Sequence, residues 1–168
     1  KIRRKFVPSA VVLFRIVRNG SLEVFGKKSS TVRTVAELKK EIVNKAVWWM
    51  KRDFRVADNE CLFEAAQHAE AVLPFFCWEY DVLNEGDYSS FHLQAQWEGL
   101  TGVCQSLRSR GIESRVVSGE IVEQLDLLFK LFPFDVLYSH QETGNLVTFQ
   151  RDQNVQKWCR ERDVKWVE

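Results

Sequence analysis

Positively charged side chains follow the most apolar stretch of the chain. The apolar residues 47–50 end at Lys51, Arg52 and Asp53, and Arg55 follows two residues later. An apolar run of this kind is typical of a buried strand, so the charged side chains are expected where that strand leaves the sheet. Two or three cations at that place would lie beside a ligand pocket. The alternative is a loop in which arginine and aspartate hydrogen-bond to each other and fix the strand exit.

A second polar loop, 139–145, follows a later apolar stretch and reads Ser-His-Gln-Glu-Thr-Gly-Asn. A helix pattern comes next, and its N-terminus would add a partial positive charge. A polar planar ligand or an anion would suit this loop, and a capped, solvated turn is the alternative. His140 could act as a base, but neither a nucleophile nor a partner acid is evident in the sequence. Catalysis by this loop is therefore not predicted.

Several common sites are excluded because their motifs are absent from the sequence. No GxGxxG follows the first apolar strand, and neither GxxxxGK[ST] nor GxSxG occurs. The four cysteines show no CxxC spacing and no Cys/His pair has the spacing of zinc ligands. We therefore predict buried free thiols, no metal site and no catalytic residue.

Charge is distributed unevenly along the chain. Residues 1–45 hold 12 Lys/Arg and 3 Asp/Glu, a net charge of +9, whereas 46–168 hold 12 Lys/Arg and 20 Asp/Glu, a net charge of −8. An acidic domain is a poor partner for phosphate backbones, so direct nucleic-acid binding by 46–168 is not expected. No apolar run reaches the roughly 18 residues of a membrane span, so no membrane partner is expected either.

Strand and helix patterns alternate five times after residue 45. The predicted strands are 46–50, 71–78, 114–117, 135–138 and 164–167, and the predicted helices are 59–68, 90–110, 121–132 and 148–162. This alternation predicts an α/β fold with a doubly wound, five-stranded parallel sheet of Rossmann-like type. In the long helix, Leu93, Trp97, Leu100, Cys104 and Leu107 form one apolar stripe. Ligands of such sheets bind at the carboxyl ends of the strands, which directs attention to loops 51–58, 79–90, 118–120 and 139–148.

Residues 1–45 are interpreted as a separate, basic N-terminal extension. Two apolar runs, 10–17 and 21–25, flank Asn19-Gly20, a sequence typical of a hairpin turn. Thr34 and Glu37 have the spacing of a capping box for a short helix, 35–44. An Arg-rich, acid-poor leader also fits a targeting segment, so an accessory extension and a targeting segment both stay open.

The amino-acid sequence resembles that of the photolyase/cryptochrome family. The first strand and loop of that family run roughly W-[FM]-[KR]-R-D-[LF]-R-x-x-D-[NH]-x-x-L. The matching residues here are Trp49, Lys51, Arg52, Asp53, Phe54, Arg55, Asp58, Asn59 and Leu62. Residues 72–83, 86–120 and 135–168 are similar to later elements, including the H-x-E-T-G-N loop and the T-[YF]-x-R-D helix start. The resemblance covers 46–168 in order.

The resemblance implies the N-terminal α/β domain of the family, which in many members holds a light-harvesting antenna. Flavin- and deazaflavin-type members hold the ring at the ends of the second and fourth strands. The cofactor-binding residues expected here are Arg52, Trp78, Glu79, Tyr80, His140 and Glu142. The family's folate-type antenna uses an Asn-Glu pair before the last helix, and this chain has Val147 and Thr148 instead. The resemblance therefore implies a flavin or deazaflavin rather than a folate.

The family's FAD, its electron-transferring tryptophans and its lesion pocket belong to a helical domain that would follow residue 168. That FAD-binding domain of the same parent protein is the implied partner, and 46–168 alone is expected to show no light-dependent DNA repair. The parent could repair DNA or signal in blue light. A chromophore-free α/β interaction module or a non-functional truncated homologue is the alternative. The expected location is cytoplasmic or nuclear, or an organelle if the basic extension is a targeting segment.

Overall fold

The computed structural model describes residues 43–86 and 88–168. In this part of the chain, five parallel strands form one sheet in the order β3-β2-β1-β4-β5. The strands are β1 (Val43–Trp49), β2 (Ala69–Trp78), β3 (Arg115–Ser118), β4 (Val136–Tyr138) and β5 (Lys165–Val167). The five-stranded parallel sheet predicted from the sequence is confirmed, with the first strand at its centre.

Helices connect the strands throughout the same residues. They are α1 (Glu60–His68), α2 (Tyr80–Leu83), α3 (Ser90–Arg108), α4 (Ile121–Leu131) and α5 (Leu146–Glu161). Asn59 caps α1 by accepting a hydrogen bond from Leu62 N (2.8 Å), and Asn145 caps α5 in the same way from Thr148 N (3.0 Å). The short helix α2 was not predicted, because its residues lie in or next to the segment expected to be a polar loop. None of these described helices is both long and apolar enough to cross a bilayer.

The first strand starts earlier than predicted. Val43 is paired with Ala69 and Lys45 with Ala71, so β1 gains three residues through its ladder with β2. The last two residues of the predicted helix 35–44 therefore belong to a strand, because pairing with β2 overrides their helical pattern. The rest of that helix and the predicted hairpin lie outside the described residues.

Helices cover both faces of the sheet, as a doubly wound fold requires. Successive side chains of β1 point to opposite faces, and all those of 46–50 are buried. Val47 and Trp49 join the core beneath α4 and α5, whereas Ala46, Trp48 and Met50 join the core beneath α1 and α3. A strand that is apolar on both faces can lie only in the interior of the sheet, which explains the central place of β1.

The apolar stripe of α3 is only partly buried. Leu100 and Leu107 lie in the core, but Leu93 is partly exposed and Trp97 is 62% exposed. Gly99 contacts Phe54 in the loop after β1, so the residues of α3 before Gly99 extend beyond the carboxyl end of the sheet. Periodicity predicted the apolar side of the helix correctly, but it could not show where the sheet beneath it ends.

Two leucines of α4 provide a matched test of this packing. The side chain of Leu125 is fully buried between α4 and the sheet, whereas the side chain of Leu127 is more than half exposed. Leu125→Ala should lower the free energy of unfolding by about 2–5 kcal/mol, because it leaves a cavity in the core. Leu127→Ala should change it by about 0.5 kcal/mol or less. Urea unfolding of both variants measures the difference, and equal losses would contradict this packing of α4.

Candidate functional site

Polar side chains from the loops after β1 and β4 meet at the carboxyl end of the sheet. These strands are neighbours, yet the helices that follow them pack on opposite faces, which makes this the switch point where doubly wound folds bind ligands. Arg52 Nε lies 2.6 Å from Glu142 Oε1. His140 Nε2 lies 2.8 Å from Asp53 Oδ2. The two loops singled out by sequence are therefore joined across the switch point.

The loop after β1 is fixed by its own hydrogen bonds. Arg55 Nε donates to Asp58 O (2.9 Å) and lies 3.2 Å from Asp53 Oδ1. Asn59 Nδ2 donates to Arg55 O (3.1 Å) and to Asp53 Oδ2 (3.3 Å). Asp58 has a φ of 53°, a left-handed conformation that aspartate tolerates better than most residues. The internal arginine–aspartate loop thus forms around Arg55. Arg52 takes no part in it and pairs with Glu142 at the switch point instead.

A buried arginine from α5 joins three carboxylates at this end of the sheet. Only 7% of the Arg151 side chain is exposed. Its Nη2 lies 2.7 Å from Glu142 Oε2, its Nη1 lies 3.2 Å from Glu79 Oε1, and its Nε donates to Asp152 Oδ1 (2.9 Å). The guanidinium carbon is 5.2 Å from the centre of the Trp49 ring. The guanidinium of Arg151 therefore connects the end of β2, the loop after β4 and α5 through ion pairs.

A buried lysine extends this network toward β5. The Lys51 side chain is 2% exposed, and its Nζ lies 2.7 Å from Glu168 Oε1 and 3.2 Å from Asp152 Oδ2. The ammonium group also lies 4.8 Å from the Trp49 ring centre and 5.0 Å from that of Trp166. Carboxylates and aromatic rings replace the water that a buried ammonium would lose. Lys51 therefore holds the network together rather than facing a ligand.

The charge balance of the network shifts the pKa values of two groups. Burial raises the pKa of Glu79 to about 7, although Arg151 opposes the shift, and the nearby carboxylates of Glu142 and Asp152 add to it. Burial by itself would lower the pKa of Arg151, but Glu79, Asp152 and Glu142 outweigh it and raise that pKa. Several anions surround Arg151, whereas one arginine and two further carboxylates surround Glu79, so the pKa of Arg151 and that of Glu79 both rise. Arg151 stays charged, whereas Glu79 exchanges a proton near neutral pH.

Within the described residues, three cavities at the carboxyl end of the sheet border α2. The outer cavity has a volume of about 320 Å³, the inner cavity about 20 Å³, and the cavity beside α5 about 170 Å³. Residues around the outer cavity are Arg52, Phe54, Val82, Tyr88, His92, Ala95, Gln96 and Asn145. Val82 of α2 borders all three, so this unpredicted helix divides one region into separate spaces.

The six residues predicted to bind a cofactor do not share one cavity. Four of them line the inner cavity: Arg52, Trp78, Glu79 and Glu142. Glu79 also lines the cavity beside α5, together with Tyr80, whose hydroxyl donates to Ser118 Oγ (3.2 Å). His140 lines none of these three cavities, because its ring faces Asp53 and Asn59.

The indole of Trp78 is largely engaged by neighbouring rings. Trp97 of α3 stacks on it with 6.2 Å between ring centres and 25° between planes. Phe76 meets it edge to face at 4.9 Å. A ligand ring would have to displace Trp97 to stack on that face of Trp78. The open space lies beside the first two turns of α3, where Phe54 and Tyr88 line the outer cavity.

Sequence reasoning missed the residues that form the main walls of the site. Tyr88, His92 and Gln96 reach the outer cavity from α3 and the turn before it. The spacing of His92 and Gln96 by four residues places them on one side of a helix, and this was the available signal. Arg151 stands in the T-F-Q-R-D motif, but nothing in its spacing marks it as buried.

The outer cavity suits a flat, partly polar ligand. Its volume is at the lower end of the range for small-molecule sites, about 300–1,000 Å³. Phe54, Val82 and Tyr88 supply apolar surface, and Gln96 and Arg52 supply hydrogen-bonding groups. Within the described residues no group of three His, Cys, Asp or Glu side chains is arranged to hold a metal ion. The inner cavity is too small for any ring in this conformation.

Removal of Arg151 should destabilise the fold strongly. Arg151→Met leaves the carboxylate of Glu79 buried without its cation and removes one of the two arginines that hold Glu142. We therefore expect a loss of about 3–5 kcal/mol in the free energy of unfolding. Arg160→Met on the exposed side of the same helix should change it by about 0.5 kcal/mol or less. Urea unfolding at neutral pH compares the two. A loss no larger than that of the control would show that Arg151 is not the centre of the network.

Glu79 should make stability fall as pH rises. Its folded-state pKa of about 7 lies above its ordinary value of 4.5, so the folded chain holds the additional proton between these values. This contribution to stability is full below the ordinary pKa and is lost as pH rises through the folded-state pKa. Glu79→Gln should therefore gain stability relative to wild type between about pH 5 and about pH 8. Denaturant unfolding across this range measures it, and a constant difference between the two proteins would contradict the assignment.

The fold and several relatives point to one family. An archaeal photolyase from Sulfolobus tokodaii superposes with a TM-score of 0.66 at 23% identity, over 73% of this chain and 28% of that one. A cryptochrome from Synechocystis gives a TM-score of 0.63 at 15% identity, over 74% and 27%. At these identities the structures establish the fold alone.

Curated relatives match by sequence as well. The blue-light photoreceptor PHR2 of Arabidopsis thaliana is 33% identical over 107 residues, which cover 60% of this chain and 24% of the relative. A cryptochrome DASH of Solanum lycopersicum, chloroplastic/mitochondrial, is 30% identical over 104 residues, 58% of this chain and 18% of the relative. The chain thus spans less than a quarter of either relative. The family model for DNA photolyase matches residues 46–168. The chain belongs to the DNA photolyase family, and its described residues form the N-terminal α/β domain of that family.

Proposed function

We propose that this domain binds a flavin-type antenna chromophore for a photolyase- or cryptochrome-like flavoprotein. The observation that carries the proposal is the outer cavity, which opens at the carboxyl end of the sheet with apolar walls and several hydrogen-bonding side chains. Ligands of doubly wound folds bind at this end. The Sulfolobus tokodaii relative is described as holding two FAD molecules, with the implication of a novel light-harvesting cofactor. Such a chromophore would absorb light and pass the energy to a second flavin.

The proposed ring contacts differ from those expected by sequence. Trp78 is already stacked by Trp97, and Tyr80 lies in the cavity beside α5. Phe54 and Tyr88 border the larger open space, so we assign the ring faces to them. The polar edge of the ring would face Gln96, where the outer and inner cavities adjoin. The site would fix the orientation of a ring, as energy transfer needs, without moving protons.

A flavin or deazaflavin is a better candidate for this site than a folate. The positions of the family's folate-binding Asn-Glu pair hold Val147 and Thr148. Thr148 is buried, and its hydroxyl donates to Asn145 O (3.0 Å) within the cap of α5. Val147 lines the cavity beside α5 rather than the outer cavity. Neither side chain supplies the carboxylate that a folate would meet there.

The parent protein's helical FAD-binding domain is the partner that we propose for this domain. Phe91 is 80% exposed and Trp97 is 62% exposed on the part of α3 that extends beyond the sheet. Large exposed apolar side chains in one region are typical of surfaces that another protein surface covers. DNA repair or blue-light signalling would then belong to the whole parent and not to these residues alone.

An organelle is the location that we propose for the parent protein. The cryptochrome DASH relatives of tomato and Arabidopsis are both named as chloroplastic/mitochondrial. Residues 1–45 carry a net charge of +9, as import segments often do. A fluorescent protein fused behind 1–45 should enter chloroplasts or mitochondria in plant cells, and uniform cytosolic fluorescence would contradict this location.

Titration with flavins tests the proposed function. The 168-residue chain should bind riboflavin or its 5-deaza analogue, measured by calorimetry. Ala95 is exposed at the rim of the outer cavity, so Ala95→Trp should block the space without disturbing the core. We expect it to weaken binding by about tenfold or more, because the added indole occupies the ring site. Gln105→Trp, on an exposed position of α3 outside the cavity, is the matched control and should leave affinity unchanged.

Two results would overturn this assignment. If the wild-type chain binds neither flavin at millimolar concentration, the antenna proposal fails. If Ala95→Trp binds as tightly as wild type, the ring lies elsewhere and the outer cavity is not the site. Circular dichroism of both variants checks that a loss of binding does not come from unfolding.

A further inference from the structure

Two cavities adjoin along α5, on the face of the sheet that α4 and α5 cover. The cavity beside α5, of about 170 Å³, and a further cavity of about 350 Å³ share Glu120 and Asn154. Together they form a groove between the start of α4 and α5, which we call the α4–α5 groove. Its α5 side is lined by Val147, Gln150, Asn154, Lys157, Trp158 and Glu161. These positions recur every three or four residues, so one side of α5 forms the wall over a length of about 21 Å.

The α4–α5 groove combines carboxylates with apolar surface. Among the described residues that line it, Asp81, Glu120 and Glu161 are exposed acidic side chains. Of the cations along the same wall, Arg151 is already paired within the buried network, and Lys157 Nζ lies 4.0 Å from Glu161 Oε1. The apolar surface between the carboxylates comes from Val122, Val147 and Trp158. A segment that carries both cations and apolar side chains would match this surface.

The first 18 residues, which precede the described part of the chain, have this complementary composition. They contain six Lys or Arg and no Asp or Glu, and residues 6–14 read Phe-Val-Pro-Ser-Ala-Val-Val-Leu-Phe. Residues 46–168 have a net charge of −8. Electrostatic attraction therefore favours contact between 1–18 and the domain, and burial of the apolar side chains in the groove would add to it.

The chain enters the domain beside the same pair of helices. Lys45 Nζ lies 5.2 Å from the ring centre of Phe132, which follows α4, and Lys45 N donates to Asp135 Oδ2 (3.1 Å). Because α5 runs from the carboxyl end of the sheet to its amino end, Glu161 lies toward the end at which β1 begins. Residues 19–42 could span up to about 80 Å when extended, several times the length of the groove. The tether also raises the effective concentration of 1–18, so a weak contact would be populated.

We infer that residues 1–18 of this chain bind in the α4–α5 groove. This inference goes beyond the proposed function, because the groove and the outer cavity are separate spaces, and it concerns the chain in which 1–45 are still attached. About six extended residues match the length of the groove. Cations of the segment pair with Glu161, Glu120 or Asp81, and its apolar side chains lie between them.

Zero-length cross-linking of lysines to carboxylates, read by mass spectrometry on the full 168-residue chain, tests the contact. We expect lysines of 1–18 to link to the three groove carboxylates about fivefold more often than to Glu98 at low ionic strength, and this preference to shrink as salt is added. Glu98 is the matched control, because it is an exposed glutamate of α3 outside the groove. A charge-conserving variant makes all six cations of the segment reactive, and it carries Arg3→Lys, Arg4→Lys, Arg15→Lys and Arg18→Lys.

A second pair of variants tests the place of binding. Asn154 is exposed where the two cavities adjoin, so Asn154→Trp should fill the groove without disturbing the core. We expect it to lower linking to Glu161 by about fivefold or more, because the indole occupies the space of the segment. Gln153→Trp adds the same side chain to the neighbouring exposed position of α5, outside the groove, and should leave linking unchanged. Circular dichroism confirms folding of each variant.

Three results would overturn the inference. If the charge-conserving variant links to the groove carboxylates no more often than to Glu98, the segment does not bind in the groove. If Asn154→Trp links like Gln153→Trp, the segment lies elsewhere on the domain. A mixture of ¹⁵N-labelled and unlabelled chains distinguishes links within a chain from links between chains. Links found only between labelled and unlabelled chains would show that the groove holds the segment of a second copy.

Discussion

The buried guanidinium of Arg151 is the interaction on which the carboxyl end of this sheet depends. It connects Glu79 at the end of β2, Glu142 in the loop after β4 and Asp152 of its own helix. Ions buried at this depth cost several kcal/mol each unless they are paired and hydrogen-bonded. The structure meets that cost with an ion-pair network, in which Lys51 also pairs with Asp152 and Arg52 also pairs with Glu142. Burial of the Glu79 carboxylate outweighs the opposing effect of Arg151, which is why the pKa of Glu79 rises to about 7.

This network also decides where a ligand has room. Arg151 and Arg52 both hold Glu142, so the space between the central strands is closed to about 20 Å³. The larger space lies to one side, because α3 begins beyond the end of the sheet and leaves a gap over the loop after β1. The ion-pair network around Arg151 supports one side of this site, and side chains of α3 that take no part in the network line the other side. Rigid support of that kind favours a ligand held in one orientation.

The α3 extension links the cavity to the surface of the domain. The same helix turns His92 and Gln96 toward the outer cavity and presents Phe91 and Trp97 to solvent. Trp97 stacks on Trp78, and Trp78 in turn contacts Phe76, which is buried in the core. A partner domain placed on Trp97, as proposed above, would therefore contact the helix that forms the cavity wall. Ligand binding and contact with a neighbouring domain would share this element.

The sequence by itself determined the architecture and the family. The alternation of apolar strands with helical stripes is a local, periodic property, so it predicted the parallel sheet, a buried strand at residues 46–50 and both loops at the switch point. Tertiary structure alone decided which charged side chains pair. Arg52 is 90 residues from Glu142 in sequence, and no periodic pattern relates Glu142 to Arg151. Tertiary structure also decided that α3 extends beyond the sheet and that α2 forms, because neither strand ends nor long-range ion pairs are encoded in the spacing of neighbouring residues.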